Sequence, residues 1–377
     1  MNIPIAGAAV TKFGEHWTKT LLDLTTEVSQ EAMKDAAVSA KAIDAVFVGN
    51  MLSGTLQRQE HLGAAVASAL GINRSAFKVE GACASGGLAV HLAIQSLLAG
   101  TYETVLVVGV EKMTDFPPEE ISSYLMRAGS EEERVAGLTF PALYALLAKA
   151  HMQEFGTTRE HMAYVAVKNH YHASLNSKAQ FPFEVSIEKV LNSSKVTDPF
   201  TLLDSSPITD GAAALVLTTK KSLKKVSIIA SAVATDTIAI SDRASLTELA
   251  ATKNAAKKAF TQAGIAHKDV DIMEVHDCFT IAEILAMEDL GFCAKGEGGA
   301  FIASGATKLG GKKPVNTSGG LKACGHPVGA TGVKQLVEIN DQLLGRGGKK
   351  QVEKAKVGLT QNIGGTGATA VVHVLKI

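Results

Sequence analysis

Four cysteines in 377 residues, none of them spaced as Cys-x-x-Cys, leave no material for a disulfide framework. A small stapled scaffold is excluded, and a reducing compartment, the cytoplasm, is the expectation. Charge of one sign is missing as well: 37 basic side chains face 37 acidic ones. With no net field to hold a polyanion, dedicated nucleic-acid binding and anionic-membrane binding lose their electrostatic support. Long hydrophobic runs are also wanting. The best, residues 88–99, is broken by His91, Gln95 and Ser96 and is too short to span a bilayer. The first residues carry no basic region followed by an apolar core, and Trp17 and Lys19 interrupt what apolar run there is, so neither signal peptide nor anchor is expected. Only 9 prolines occur, with no Pro/Ser-rich tract that would separate independently moving bodies.

What remains is 46% hydrophobic residues, 20% charged ones and 35 glycines, a globular composition on a chain long enough for two or three domains' worth of core. Aliphatic, β-branched runs alternate with helical patterns. AVFVG at 45–49 precedes a helix at about 58–70; FKVEG at 77–81 precedes a helix at about 84–99; TVLVVGV follows at 104–110. Such alternation indicates α/β architecture. Residues 112–209 differ, with mixed charges and His-rich helical stretches, and read as an insertion. After AALVLT at 213–218 the pattern starts again: a strand at 227–235, a helix at about 244–263, DIMEVHD at 271–277, a helix at 280–290, a Gly-rich loop at 296–320, a helix at 329–344 and strands at 356–361 and 368–376. Both halves share the order of Gly-flanked turn, long helix, strand and Ala/Val strand, which suggests an internal duplication. The expected divisions are residues 1–111 with 210–226, the insertion 112–209, and residues 227–377.

GACASGG at 81–87 sets Cys83 between a short β run and an apolar helix. A thiol there meets the helix dipole and free backbone N–H groups, which favour thiolate, so Cys83 is a candidate nucleophile; the plainer reading is a small inert core cysteine. In EVHDCF at 274–279 the two-residue period of an extended chain turns His276 and Cys278 to one face and Asp277 to the other. ACGHPVGATG at 323–332 fixes His326 on a turn entering a helix, and NIGGTG at 362–367 offers bare N–H groups suited to an oxyanion. His276, Cys278, Cys324 and His326 also form a conceivable soft zinc set, although no finger or ribbon spacing is present.

Taken together and in this order, GACASGG, HDCF, GHPxGATG and NxGGxG resemble the thiolase superfamily. They are closest to the branch of the sterol-carrier-protein thiolase and the archaeal acetoacetyl-CoA thiolases, which carry HDCF where most thiolases have NEAF. The resemblance runs over the whole chain and implies a thiolase fold: a duplicated five-layered α/β/α/β/α core with an inserted loop domain over the CoA site. It implies that Cys83 takes the acyl group, and that His326 activates it and meets the thioester oxygen of a second acyl-CoA. His276 replaces the usual Asn in supporting that first oxyanion hole through a water, and the backbone N–H groups of Cys83 and Gly364 form the second. Most thiolases use a C-terminal cysteine as acid/base; here that position is Asn362, and Cys278 is implied to serve instead. Ser206 matches a position that meets the pantetheine amide.

The activity implied is acetyl-CoA C-acetyltransferase, an acyltransferase acting in lipid metabolism on the mevalonate route to isoprenoids. Coenzyme A takes part as substrate and product; no other cofactor and no metal is implied. A degradative 3-ketoacyl-CoA thiolase of broader chain length and a thiolase-fold scaffold subunit of weak activity are the alternatives. A homodimer or homotetramer is implied, along with association with hydroxymethylglutaryl-CoA synthase through an OB-fold zinc-ribbon protein.

Overall fold

A computed structural model describes residues 1–220 and 226–377. The expected division after residue 226 therefore falls partly on residues, 221–225, outside those described. Nine strands form one mixed ladder. In chain order the first half contributes β1 (Ile3–Val10), α1 (Leu21–Asp35), β2 (Ala45–Gly49), α2 (Leu62–Ala69), β3 (Ser75–Val79), α3 (Ser85–Leu98) and β4 (Thr104–Glu111). Two long helices, α4 (Phe140–Phe155) and α5 (Arg159–Ser174), lie in the connection from β4 to β5 (Gly211–Thr218). The second half contributes β6 (Ser227–Thr235), α6 (Ala250–Ala263), β7 (Ile272–Glu274), α7 (Thr280–Asp289), α8 (Val328–Leu343), β8 (Val357–Gly364) and β9 (Thr369–Lys376).

The ladder runs β3-β2-β4-β5-β1-β6-β9-β8-β7. In the first half β2 is parallel to β3 and β4, whereas β5 is antiparallel to both β4 and β1. In the second, β7 is parallel to β8, β9 is antiparallel to β8 and β6, and an isolated parallel bridge from Met273 to Val315 stands where β3 stands in the first. The duplication expected from sequence is therefore present in strand order and direction. Within the ladder the halves join through a short seam, Ile3 with Ile228 and Pro4 with Ser227.

Strands β4 and β5 are buried over their whole length, which is why they read as continuous apolar runs rather than alternating ones. Their two faces serve different cores. Leu106, Val108, Ala214 and Val216 pack with Leu24, Val28 and Ala32 of α1, a helix begun by a Thr20–Asp23 capping box. Val105, Val107, Leu215 and Leu217 face Val90 and Ile94 of α3 and Val333 and Leu336 of α8. Ala370, Val372 and Val374 of β9 face α6 and α7 on the far side. Outer helices, sheet, a central pair α3/α8, sheet and outer helices make the five layers. In the central layer the backbones touch: a Cβ on Gly86 would lie 2.6 Å from the Gly329 carbonyl oxygen.

Several boundaries differ from expectation: the strand expected to end at 361 runs on to Gly364, because Asn362, Ile363 and Gly364 continue the ladder with Val371, Ala370 and Thr369, and two helices start late. The helix expected from 58 begins at Leu62, because Gln59 and Ser53 exchange hydrogen bonds (2.9 and 3.0 Å) that hold a loop. The helix expected from 244 begins at Ala250, because Ser245 accepts from the Thr247 N–H at 3.1 Å and Asp289 from the Leu249 N–H at 2.7 Å. The Gly-rich stretch 296–320 also contains a short helix, Gly298–Ala303. Among the described residues no helix is long and apolar enough to cross a membrane.

Candidate active site

Cys83 sits in a one-turn 3-10 segment, Ala82–Ala84, between β3 and α3. Ala82 adopts φ 53°, a conformation that costs a non-glycine residue energy. The turn is held by its own side chains: Glu80 accepts the Ala82 N–H at 2.6 Å, and Ser85 Oγ accepts from Gly81 N–H at 3.0 Å while donating to the Ala82 carbonyl at 2.6 Å. His326 occupies the equivalent place ahead of α8. Its N–H donates to Thr209 Oγ1 at 3.0 Å and its Nδ1 lies 2.7 Å from Thr331 Oγ1, which donates to the Pro327 carbonyl at 3.0 Å. Both of the last two bonds exist together only if His326 Nδ1 carries the proton, leaving a bare Nε2 that has no protein partner.

His276 and Cys278 follow β7 and do face the same way, while Asp277 turns away. Asp277 accepts from Asn169 Nδ2 at 2.7 Å and from the backbone N–H of Leu321 at 2.7 Å. Lys168, buried beside Asn169 on α5, forms an ion pair with Glu283. The inserted segment thus anchors the strand end that carries the two site residues. The His276 and His326 rings meet edge to face, 4.9 Å apart at 88°. One donor atom from each of Cys83, His276 and His326 lies within 4.8 Å of the other two. The soft set weighed for zinc does not assemble: Cys324 is buried against Asn176, whose Nδ2 donates to its sulfur at 3.7 Å. Cys293 is half-buried at the outer core of the second half.

Cys83, Cys278 and His326 line one cavity of about 200 Å³. Its other walls are mainly apolar, among them Met113, Ile121, Leu125, Phe140 and Phe279. Ser206 is on the wall, and its N–H donates to the Cys278 carbonyl at 2.8 Å. Gly364 ends β8, paired with Thr369; the backbone N–H that faces the Cys83 sulfur is that of Gly365, one residue further on, at φ 61°. Sequence reasoning missed Tyr144 because it lies in the insertion and belongs to no motif. It is buried on the cavity wall, donates to the Gly365 carbonyl at 3.0 Å and stacks on Phe279 at 4.7 Å.

Burial reverses one expectation. Despite the helix N-terminus and the Gly365 N–H, desolvation pushes the Cys83 thiol up to about 12. The same effect drives His326 down to about 3, His276 well below the usual imidazole range and Cys278 well above the usual thiol range. The resting site is therefore a set of neutral thiols and imidazoles, not a thiolate–imidazolium pair. Iodoacetamide labelling of Cys83 in the unliganded protein should accordingly rise about tenfold per pH unit through neutrality and beyond, as the thiolate fraction rises. Peptide mapping against pH tests this, and a plateau near pH 7 would contradict it.

The fold and this cluster define a Cys/His acyl-transfer site built across two repeated halves. The chain matches the family models described as "Thiolase, N-terminal domain" over residues 3–221 and "Thiolase C-terminal domain-like" over residues 232–377, and it belongs to the thiolase family. It is 48% identical to the acetyl-CoA acetyltransferase of Methanothermobacter thermautotrophicus, over 99% of each chain. With bovine sterol carrier protein 2 it shares 33% identity, over 97% of this chain and 71% of the other. Among solved structures, the Ltp2-ChsH2(DUF35) aldolase superposes with a TM-score of 0.84 at 23% identity, over 99% and 97% of the two chains. The acetyl-CoA acetyltransferase of Syntrophomonas wolfei does so with 0.76 at 19%, over 100% and 99%.

Proposed function

We propose that this acyltransferase is an acetyl-CoA C-acetyltransferase, joining two molecules of acetyl-CoA into acetoacetyl-CoA and CoA. The observation that carries the reading is that Cys83, His326 and Cys278 line one small, mainly apolar cavity, with a ring nitrogen of His276 within 4.8 Å of the Cys83 sulfur and of a His326 ring nitrogen. Cys83 Sγ attacks the thioester carbonyl of the first acetyl-CoA, and its proton passes to the bare Nε2 of His326 and on to the departing CoA sulfur. That leaves an acetyl thioester on Cys83. Cys278 gives its proton to His326 Nε2, and the thiolate so formed removes a methyl proton from the second acetyl-CoA, whose thioester oxygen is held by His276 and the protonated His326. The carbanion attacks the acetyl carbonyl, whose oxygen is held by the backbone N–H groups of Cys83 and Gly365, the latter taking the place expected for Gly364. The Cys83–carbonyl bond breaks, and the proton held by His326 passes to the departing Cys83 sulfur, restoring both thiols. Ser206 stands at the cavity wall to meet the pantetheine arm. CoA is substrate and product, and neither metal nor further cofactor enters.

A cavity of about 200 Å³ favours a short acyl group over the longer chains of a degradative enzyme. Thiolysis of acetoacetyl-CoA should therefore exceed that of 3-ketoacyl-CoAs with six or more acyl carbons by at least about tenfold in kcat/KM, as expected where the longer chain has no room. Equal rates would favour the degradative alternative, and no thiolysis at all would favour a scaffold subunit.

The chain is further proposed to act in the cytoplasm, in lipid metabolism on the mevalonate route, as a homodimer or homotetramer. Strand β3 supports self-association: it is bonded to β2 on one side only and presents Phe77, 43% exposed. Light scattering should give a multiple of 39.3 kDa, and Phe77→Glu should shift it toward the single chain. A wild-type monomer at micromolar concentration would refute this. Association with hydroxymethylglutaryl-CoA synthase through an OB-fold zinc-ribbon protein is proposed from the family resemblance, and the description of one structural neighbour as an aldolase with a DUF35 component supports a partner protein of some kind.

A further inference from the structure

Asn362 stands where the family resemblance leads one to expect an acid/base cysteine, and an amide cannot exchange protons in that way. Its surroundings give it different work. The Gly87 N–H donates to Asn362 Oδ1 at 3.2 Å, which identifies that atom as the oxygen. The other end of the amide is then Nδ2, with two hydrogens to give. One goes to the Cys83 carbonyl at 3.0 Å and the other to His276 Nδ1 at 3.1 Å. A nitrogen that accepts an N–H bears no proton of its own, so the single proton of a neutral His276 sits on Nε2. That atom is buried and has no partner in the protein, and its ring stands edge to face with His326 beside Cys83.

We propose that Asn362 is a positioning residue: it fixes His276 as the Nε2–H tautomer, so that this imidazole offers a donor to the thioester oxygen of the second acyl-CoA. The inference rests on the proposed condensation. It matters because the second imidazole is set the other way. Thr331 leaves His326 with a bare Nε2 in the resting site, suited to receive the Cys83 proton, so His276 is the imidazole that presents N–H from the outset. Reversing the His276 tautomer would aim a lone pair at developing negative charge, and losing one such donor typically costs about 10²–10³-fold. The groups that face His276 are Cys83 from the turn before α3, His326 from the turn before α8, and Asn362 and Gln361 from β8; Cys278 lies two residues along its own segment. None is a fixed charge, and burial keeps His276 neutral, so nothing but hydrogen bonding selects the tautomer.

Long-range proton–nitrogen NMR on protein labelled with ¹⁵N-histidine reads the tautomer directly, with His276→Gln supplying the assignment. Wild type should show a bare Nδ1 and a protonated Nε2 on His276 throughout the neutral range; a proton on Nδ1 overturns the proposal, whatever any variant does. Asn362→Asp supplies the functional arm. A carboxylate still accepts from Gly87 but can only accept from His276, so Nδ1 must take a proton and the imidazole pKa rises. While the ring is imidazolium, Nε2–H survives; above the raised pKa it is the Nε2 proton that leaves. Condensation in Asn362→Asp should therefore gain an alkaline limb absent from wild type, falling about tenfold per pH unit to a loss of roughly 10²–10³-fold. Acetylation of Cys83 by acetyl-CoA should not gain that limb. A loss of condensation that is the same at every pH means that Asn362 is merely structural and refutes the assignment. If wild type never acetylates Cys83, the proposed reaction itself is wrong, whereas the NMR result still decides the tautomer.

Discussion

Cys83→Ser should lose condensation and thiolysis by roughly 10⁴–10⁶-fold, the range seen when an enzyme loses the nucleophile of a coupled catalytic set. A serine hydroxyl is far less acidic than a thiol, and the one base in reach, His326, is itself held down to about 3 by burial, so it has little power to take a proton from an alcohol. Intact-protein mass spectrometry after incubation with acetyl-CoA should show the acetyl adduct on wild type and none on the variant. Retention of even a hundredth of the wild-type rate, or an adduct on another cysteine, would remove Cys83 from its assigned role.

Cys278→Ala should separate the two half-reactions. Acetyl transfer to Cys83 needs the nucleophile, His326 and backbone donors, none of which the substitution touches, so the mass of one acetyl group should still appear. Carbon–carbon bond formation needs a group to take the methyl proton, and loss of a positioned acid/base costs about 10²–10⁴-fold. The acetylated form should consequently accumulate while acetoacetyl-CoA production falls by that factor. Near wild-type condensation would exclude Cys278 as the base. It would also redirect attention along the same cavity wall, where Tyr144 lies against Cys278 and donates to the Gly365 carbonyl.

What could be read from sequence is what is local. The two-residue period of His276-Asp277-Cys278, the Gly-flanked turns that hold Cys83 and His326, and the repeated strand order all arise from short-range geometry, and each has its counterpart in the structure. Asn362 and Tyr144 could not be read this way, because their partners lie 86 to 279 residues away in the chain. The Cys83 thiol shows a related limit. Its helix N-terminus is a feature of seven residues, whereas the desolvation that outweighs it is produced by the insertion and both halves together. The start of α6 was misplaced for the same reason, since the Asp289 that holds Leu249 comes from another helix.

The seam between the halves bears on how such a chemistry could arise. Cys83 and His326 come from equivalent turns ahead of equivalent helices that touch through Gly86 and Gly329. Two identical copies of a half-size ancestor would present the same side chain from both turns, two sulfurs or two imidazoles face to face. Within a single polypeptide the two turns are free to differ, one carrying the attacking group and the other its proton partner. The active centre is thus a broken symmetry, one that two identical half-length copies paired about an axis could not supply.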